Sequence, residues 1–174
     1  MSAAPDAAAK IVSSAHLADG ATPELSEFEY GLIVAGNAFN HWVTRCMAAA
    51  GGPELGTLDV LVLHTVNHRS RAKRLADICF TLKVEDTHLV NYAVKKLVKA
   101  GLVDGTKSGK EIHYATSKSG AALCRKYREV RETCLIETMG ALGGVDTAEI
   151  TRAASVLRAL SGLYDQASRS ATSL

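Results

Sequence analysis

The stretch that decides the fold runs Asp86-Thr87-His88-Leu89-Val90-Asn91-Tyr92-Ala93-Val94-Lys95-Lys96-Leu97-Val98-Lys99-Ala100-Gly101 and continues Leu102-Val103-Asp104-Gly105-Thr106-Lys107-Ser108-Gly109-Lys110-Glu111-Ile112-His113-Tyr114-Ala115-Thr116. In the first half Val90, Ala93, Val94 and Leu97 recur at helical spacing. They form an inward stripe that leaves Thr87, His88, Asn91, Tyr92, Lys95, Lys96 and Lys99 outward. Asp86 stands where an N-cap belongs and Gly101 where a helix stops. In the second half the period changes to alternation. This predicts a β-hairpin of Leu102–Lys107 and Lys110–Thr116 around a Ser108-Gly109 turn, with Ile112 and Tyr114 on one face.

Upstream, a short helix is expected after Ser70, with Arg71, Lys73 and Arg74 near its start and Leu75, Ala76, Ile78 and Cys79 buried. Phe80–Glu85 would then be the connecting turn. Before it, Thr57 opens a helix whose Leu58, Leu61, Val62, Thr65 and Val66 make one stripe. Val60 and Leu63 add apolar surface on the far side, so this helix is buried nearly all round. Two short helices joined by a tight turn, with polar side chains at the start of the second and a hairpin directly after, make a winged helix-turn-helix.

That motif is flanked by longer helices. Ser26 and Glu29 read as a capping box, with Leu25 and Tyr30 as a hydrophobic staple. The helix they open carries Phe28, Leu32, Ala35, Phe39, Trp42, Val43 and Cys46 at three- and four-residue spacing and ends at Gly51-Gly52-Pro53. Ser117 caps a helix with Leu123, Tyr127, Val130 and Cys134 along one seam, which Gly140 would stop. A last helix starts at Asp146 with Glu149 completing an acidic capping box and Val145 and Ile150 as staple. Its seam is Ile150, Ala153, Leu157, Leu160 and Tyr164, and the chain after Gln166 is polar. The expected fold class is mainly α with a small β-hairpin wing. Residues 1–23 are read as a flexible arm and 24–168 as a single domain, with the winged lobe at 57–116 and long helices at 24–56 and 117–168.

The 174 residues, 47% hydrophobic and 22% charged, are ordinary globular material and need no metal or disulfide staple to fold. Tyr30–Thr44, an apolar stretch free of Asp, Glu, Lys and Arg, is shorter than the ~20 residues of a membrane span, and no membrane partner is expected. Cys46, Cys79, Cys124 and Cys134 are widely spaced with no CxxC and lie on or beside apolar seams, so core packing in a reducing cytoplasm is their reading. Cys124, beside Arg125 and Lys126, has the neighbours most suited to a redox sensor.

The net charge of +2 hides an uneven distribution, since Arg69–Arg131 holds 15 Lys and Arg against 6 Asp and Glu while the rest of the chain is acidic. A basic segment with a groove-reading shape points to double-stranded DNA. A helix fits the major groove and its N-terminal side chains reach base edges. Asn91 has the amide suited to adenine. Thr87, His88 and Tyr92 are presented beside it, and Lys95 reaches a guanine or a phosphate. Lys107 and Lys110 flank the wing tip, and Arg71 and Arg74 would meet the phosphate backbone. The alternative is a winged-helix module that docks another protein through the same face without specific DNA binding.

At this point the chain, from Leu25 to Gln166, resembles the MarR family of bacterial winged-helix transcription regulators. The resemblance is carried by Leu75-Ala76, by Leu97-Val98-Lys99-Ala100-Gly101-Leu102-Val103 and by Ser117-Lys118-Ser119-Gly120, together with the order of long helices around the motif. It implies an intertwined homodimer built from the end helices, a pseudo-palindromic operator, and a pocket between the dimer helices and the DNA-binding lobe. A small aromatic or anionic effector would enter near Phe39, His41, Trp42 and His64. The sequence departs from the family in the wing. Where the family commonly carries Asp-x-Arg, here Asp104-Gly105-Thr106-Lys107-Ser108-Gly109-Lys110 has no arginine. Glu85-Asp86-Thr87-His88 with Asn91-Tyr92 is similar to an alphaproteobacterial branch that includes regulators of cell-wall L,D-transpeptidase expression.

His64 and His68, four apart, are spaced to share a helix face, but no third ligand is evident, so no metal or other cofactor is expected. No Gly-rich phosphate loop, nucleophile elbow or paired acids are found, and no enzymatic activity is expected.

Overall fold

The computed structural model describes residues 22–141, 144 and 146–174. Contacts divide the chain into two compact units, one ending at Tyr127 and the other formed by Arg128–Leu174. The expectations for the arm before Thr22 and for the Val145 staple lie outside the described residues.

The first unit begins with α1 (Pro23–Ala49). Pro23, at the first helical position, starts this helix three residues before Ser26, because its fixed φ and missing amide suit a first turn. The expected capping box at Ser26 and Glu29 therefore lies inside the helix. Apart from the buried Ser26 near its start, α1 reaches the core in its last turns, through Val43, Cys46, Met47 and the following Ala50. Leu25, Tyr30, Leu32, Ile33, Val34 and Phe39 are exposed. Gly51, at φ +81°, closes the helix, with the Gly52 amide donating to the Met47 carbonyl at 3.0 Å.

Helix α2 (Thr57–Asn67) has no exposed residue, in agreement with its all-round apolar pattern. The deepest positions are Val60, Val62, Leu63 and Val66, while Leu58 and Leu61 are half-buried. A 3-10 turn over His68–Ser70 follows, in which Arg69 (φ 59°) and Ser70 (φ 47°) take the left-handed conformation. The expected helical start at Arg71–Arg74 is instead extended. Lys73–Arg74 form strand β1, and α3 spans Leu75–Leu82. Ile78 and Cys79 are buried as expected, Leu75 is half-buried, and Ala76 is exposed rather than buried because it lies at the helix start beside an open groove.

Helix α4 (Thr87–Lys99) follows, with Asp86 as its N-cap accepting from the His88 amide at 2.8 Å. Val90, Ala93, Val94 and Leu97 are all buried, as the stripe predicts. Gly101 (φ 68°) and the Leu102 amide, which donates to the Leu97 carbonyl, terminate it. Strands β2 (Val103–Ser108) and β3 (Glu111–Thr116) pair antiparallel, and β1 adds to β3 through Lys73↔Tyr114 and Arg74↔His113 to give the order β1-β3-β2. The turn is Gly109-Lys110, one residue later than expected. Gly109 supplies the positive φ (62°) that a two-residue hairpin loop asks of its first position.

Helix α5 (Lys118–Arg131) packs Leu123, Cys124 and Tyr127 into the core of the first unit. Its start is fixed by Ser117, whose hydroxyl accepts from the Gly120 amide at 3.0 Å and donates to the Gly101 carbonyl at 2.7 Å. Gly120 is buried, and a Cβ there would overlap the Leu102 carbonyl.

The second unit contains a π-helical segment (Glu132–Ile136), α6 (Glu137–Ala141) and α7 (Thr147–Ala171). Gly140 lies within α6 rather than stopping a helix. Asp146 caps α7 by accepting from the Ala148 amide at 2.9 Å, and α7 continues five residues past Gln166. No residue of α7 is buried; Ile150 and Leu157 are exposed, and Leu160 and Tyr164 are half-buried. Cys46, Cys79 and Cys124 are buried as expected, but Cys134 is exposed, since the turns around it bury no side chain. Among the described residues no helix is long and apolar enough to cross a membrane.

Candidate nucleic-acid interface

Helix α4 buries one face completely and so commits the other. Thr87, His88, Tyr92 and Lys95 are exposed, Tyr92 by 72%, while Asn91 is half-buried. Asn91 and Thr87, one turn apart, line an open groove of about 460 Å³ with Arg74, Leu75 and Ala76 on one side and Glu111, Ile112 and Tyr114 of β3 on another. Lys107 and Lys110 are exposed at the hairpin tip beyond it. Of the sequence-predicted residues, the groove thus brings together Arg74, Thr87 and Asn91 beside β3 of the wing.

The position of α4 is fixed by a charge that sequence reading missed. Asp59 of α2 is buried, accepts from the Gly56 amide at 2.9 Å, and pairs with Lys96 Nζ at 2.8 Å. Its hydrogen bond raises the lysine pKa above the usual value. Lys96, placed outward by the periodicity, thus ties α4 back to the start of α2. The signal available was Asp59 itself, an acid inside an otherwise apolar helix.

The two arginines expected at the phosphate backbone have different surroundings. Arg71 is exposed. Arg74 is engaged with acids: Nε and Nη2 donate to Asp77 at 3.2 and 3.0 Å, and Nη1 lies 3.5 Å from Glu111. The bond to Asp77 raises the guanidinium pKa, and the same bond lowers that of the carboxyl. Lys73 turns inward. Its ammonium donates to the carbonyls of Val66 (3.1 Å), His68 (2.6 Å) and Arg71 (3.1 Å), which matches its three donors. Burial, then the neighbouring Arg71 charge, pushes its pKa down.

The four residues read as an effector pocket are spread over two helices. Phe39 and His41 are exposed on α1 and Trp42 is half-buried; His41 Nε2 accepts from Arg45 Nε at 3.4 Å. His64 on α2 meets Tyr127 edge-on, with ring centroids 4.5 Å apart. None of the four lines the groove beside the wing. Among the described residues no group of three His, Cys, Asp or Glu side chains is placed to hold a metal ion.

Comparison with known proteins agrees with this geometry. A family model described as a winged helix DNA-binding domain matches residues 55–120. A search of curated proteins finds no match. Among solved structures, a MarR-family transcriptional regulator from Rhodococcus sp. RHA1 superposes with a TM-score of 0.61 at 14% identity, covering 82% of this chain and 95% of that one. CouR from Rhodococcus jostii RHA1, bound to p-coumaroyl-CoA, gives 0.61 at 14%, covering 76% and 90%. RV1404 from Mycobacterium tuberculosis gives 0.62 at 19%, covering 79% and 94%. Residues 55–120 therefore match the winged-helix DNA-binding model, and the chain has the fold seen in MarR-type regulators.

Proposed function

We propose that the protein is a cytoplasmic transcription regulator of the MarR type that binds a two-fold related duplex DNA site as a homodimer. The observation that carries this reading is the groove that helix α4 and the wing line together. Thr87, His88, Asn91, Tyr92 and Lys95 of α4 are the side chains proposed for the major groove, and the exposed Lys107 and Lys110 of the wing tip are those proposed for the flanking backbone. The exposed apolar residues of α1 and the absence of any buried residue on α7 support dimerisation through the end helices, because a monomer would leave both faces in water. A small-molecule effector is part of the proposal, supported by a fold neighbour bound to p-coumaroyl-CoA, and Phe39, His41, Trp42 and His64 are the positions proposed for it. The alphaproteobacterial reading rests on the Glu85–His88 and Asn91–Tyr92 stretch alone.

The exposure of Leu89 (54%) and Tyr92 (72%) favours a second reading, a module that docks a protein through α4. Selection from a random duplex pool with the purified protein decides between them. Enrichment of a palindrome with half-sites about 34 Å apart, bound with steep salt dependence, supports the regulator. Failure to enrich any sequence favours the docking module.

A further inference from the structure

The outer half of the wing has little to hold it. Strand β1 is two residues long and its pairing with β3 ends at Arg74↔His113, so Glu111, Ile112 and the Gly109-Lys110 turn lie beyond the last backbone bond to the body of the lobe. Of β2 only Val103 is buried, and Ile112 is 48% exposed. A two-stranded ribbon is at best marginal in water by itself. Among the described residues, one side chain spans the gap with an ion pair. Arg74, at the end of β1, presents its fork to Asp77 of α3 through Nε and Nη2, and its Nη1 reaches Glu111, the first paired residue after the turn, at 3.5 Å. Asp77 is itself fixed, because its Oδ2 also accepts from the Arg74 amide at 3.1 Å. A planar guanidinium with several fixed donors suits this double engagement, which a lysine could not reproduce.

We infer that Glu111, Arg74 and Asp77 form a latch that holds the wing at a set angle to α3 and α4, with Arg74 its pivot rather than a phosphate contact. Its consequence for binding rests on the DNA reading above. The latch joins two carboxylates to one guanidinium, so it places a net negative charge beside the groove. Charge alone then says that removing Glu111 should tighten DNA binding, and the latch says the opposite, since a wing free to swing must be ordered again on each encounter.

The test uses the full chain with Glu111→Gln, Arg74→Gln and the double variant, all at exposed positions. The readouts are affinity for the duplex enriched from the pool, its salt slope, and backbone 15N order parameters of Thr106–Ile112. The latch predicts that each single variant weakens binding about threefold, as loss of a partly exposed ion pair allows. The double variant should be no weaker than Arg74→Gln, the salt slope should stay unchanged, and the wing order parameters should fall in all three. Tighter binding by Glu111→Gln, a slope lowered by about 1 in Arg74→Gln, or unchanged order parameters would overturn it. A wild-type protein that binds no duplex removes the DNA reading, while the order parameters still decide the latch.

Discussion

Replacing Lys96 by Met removes the charge that meets Asp59 while keeping a long apolar stem. The carboxylate is left with the Gly56 amide as its remaining fixed partner, in a side chain only 10% exposed. Removing one partner of a fully buried pair costs about 3–5 kcal/mol and of an exposed pair about 0.2–1 kcal/mol. Lys96 is 38% exposed, so solvent screens part of the interaction and the expected loss is roughly 1–3 kcal/mol. Asp59→Ala loses the same pair and also the bond to the Gly56 amide at the start of α2. The pair is read by urea unfolding of both single variants and the double. Because the residues act on each other at 2.8 Å, the cycle should show a coupling of at least about 1 kcal/mol. The pH dependence carries a sign. Asp59 raises the folded pKa of Lys96 above its ordinary 10.5, so the stabilisation is fully present below that value and is lost as pH rises through the folded pKa. Lys96→Met should lose this alkaline component. Single-variant losses that simply add, with an unchanged alkaline limb, would refute the tether.

Asn91→Ala should cost about 1–3 kcal/mol and relax base preference at one position per half-site, since an amide contact would be lost; equal weakening on every sequence would make it a backbone contact. Lys107→Ala and Lys110→Ala should each lower the salt slope by about 1 with base preference intact, and an unchanged slope in both would take the wing tip out of the interface. Gly120→Ala should destabilise by more than about 3 kcal/mol in thermal or urea unfolding, because its Cβ would overlap the Leu102 carbonyl at a buried position. Leu160→Asp should shift sedimentation toward monomer and weaken DNA binding together, and a variant that stays dimeric and binds normally would remove α7 from the proposed dimer contact.

Helix α4 and the wing were legible because their signals are local. The stripe Val90, Ala93, Val94, Leu97 and the change of period at Leu102 need no knowledge of distant residues. The start of α3 was not. Arg71–Arg74 carries no helix breaker, and only the presence of β3 alongside makes Lys73 and Arg74 extended. Ser26 misled for a related reason: a capping box is recognised by residue type, but Pro23 sets the first turn three residues earlier by fixing the backbone. Asp59–Lys96 and Arg74–Glu111 join residues 37 apart in sequence and are invisible to periodicity. Cys134 shows the limit of an apolar seam as a guide to burial, for a seam predicts only that something will cover it.

These long-range pairs change what the basic segment can offer an anion. The excess of Lys and Arg between Arg69 and Arg131 suggests a uniformly positive lobe, but Lys73, Arg74 and Lys96 among its cations are already engaged. Lys73 gives its donors to carbonyls, Arg74 is shared by two carboxylates, and Lys96 is joined to Asp59. Each holds a strand, a wing or a helix in place. Salt dependence counts phosphates neutralised, not net charge. On the proposed DNA reading the slope should therefore be set by exposed cations such as Lys95, Lys107 and Lys110, with the internal pairs acting on affinity by fixing where those cations stand. A variant at Lys107 or Lys110 should move affinity and slope together. One at Lys96 should move affinity with the slope unchanged, and that contrast separates the contacting charges from the positioning ones.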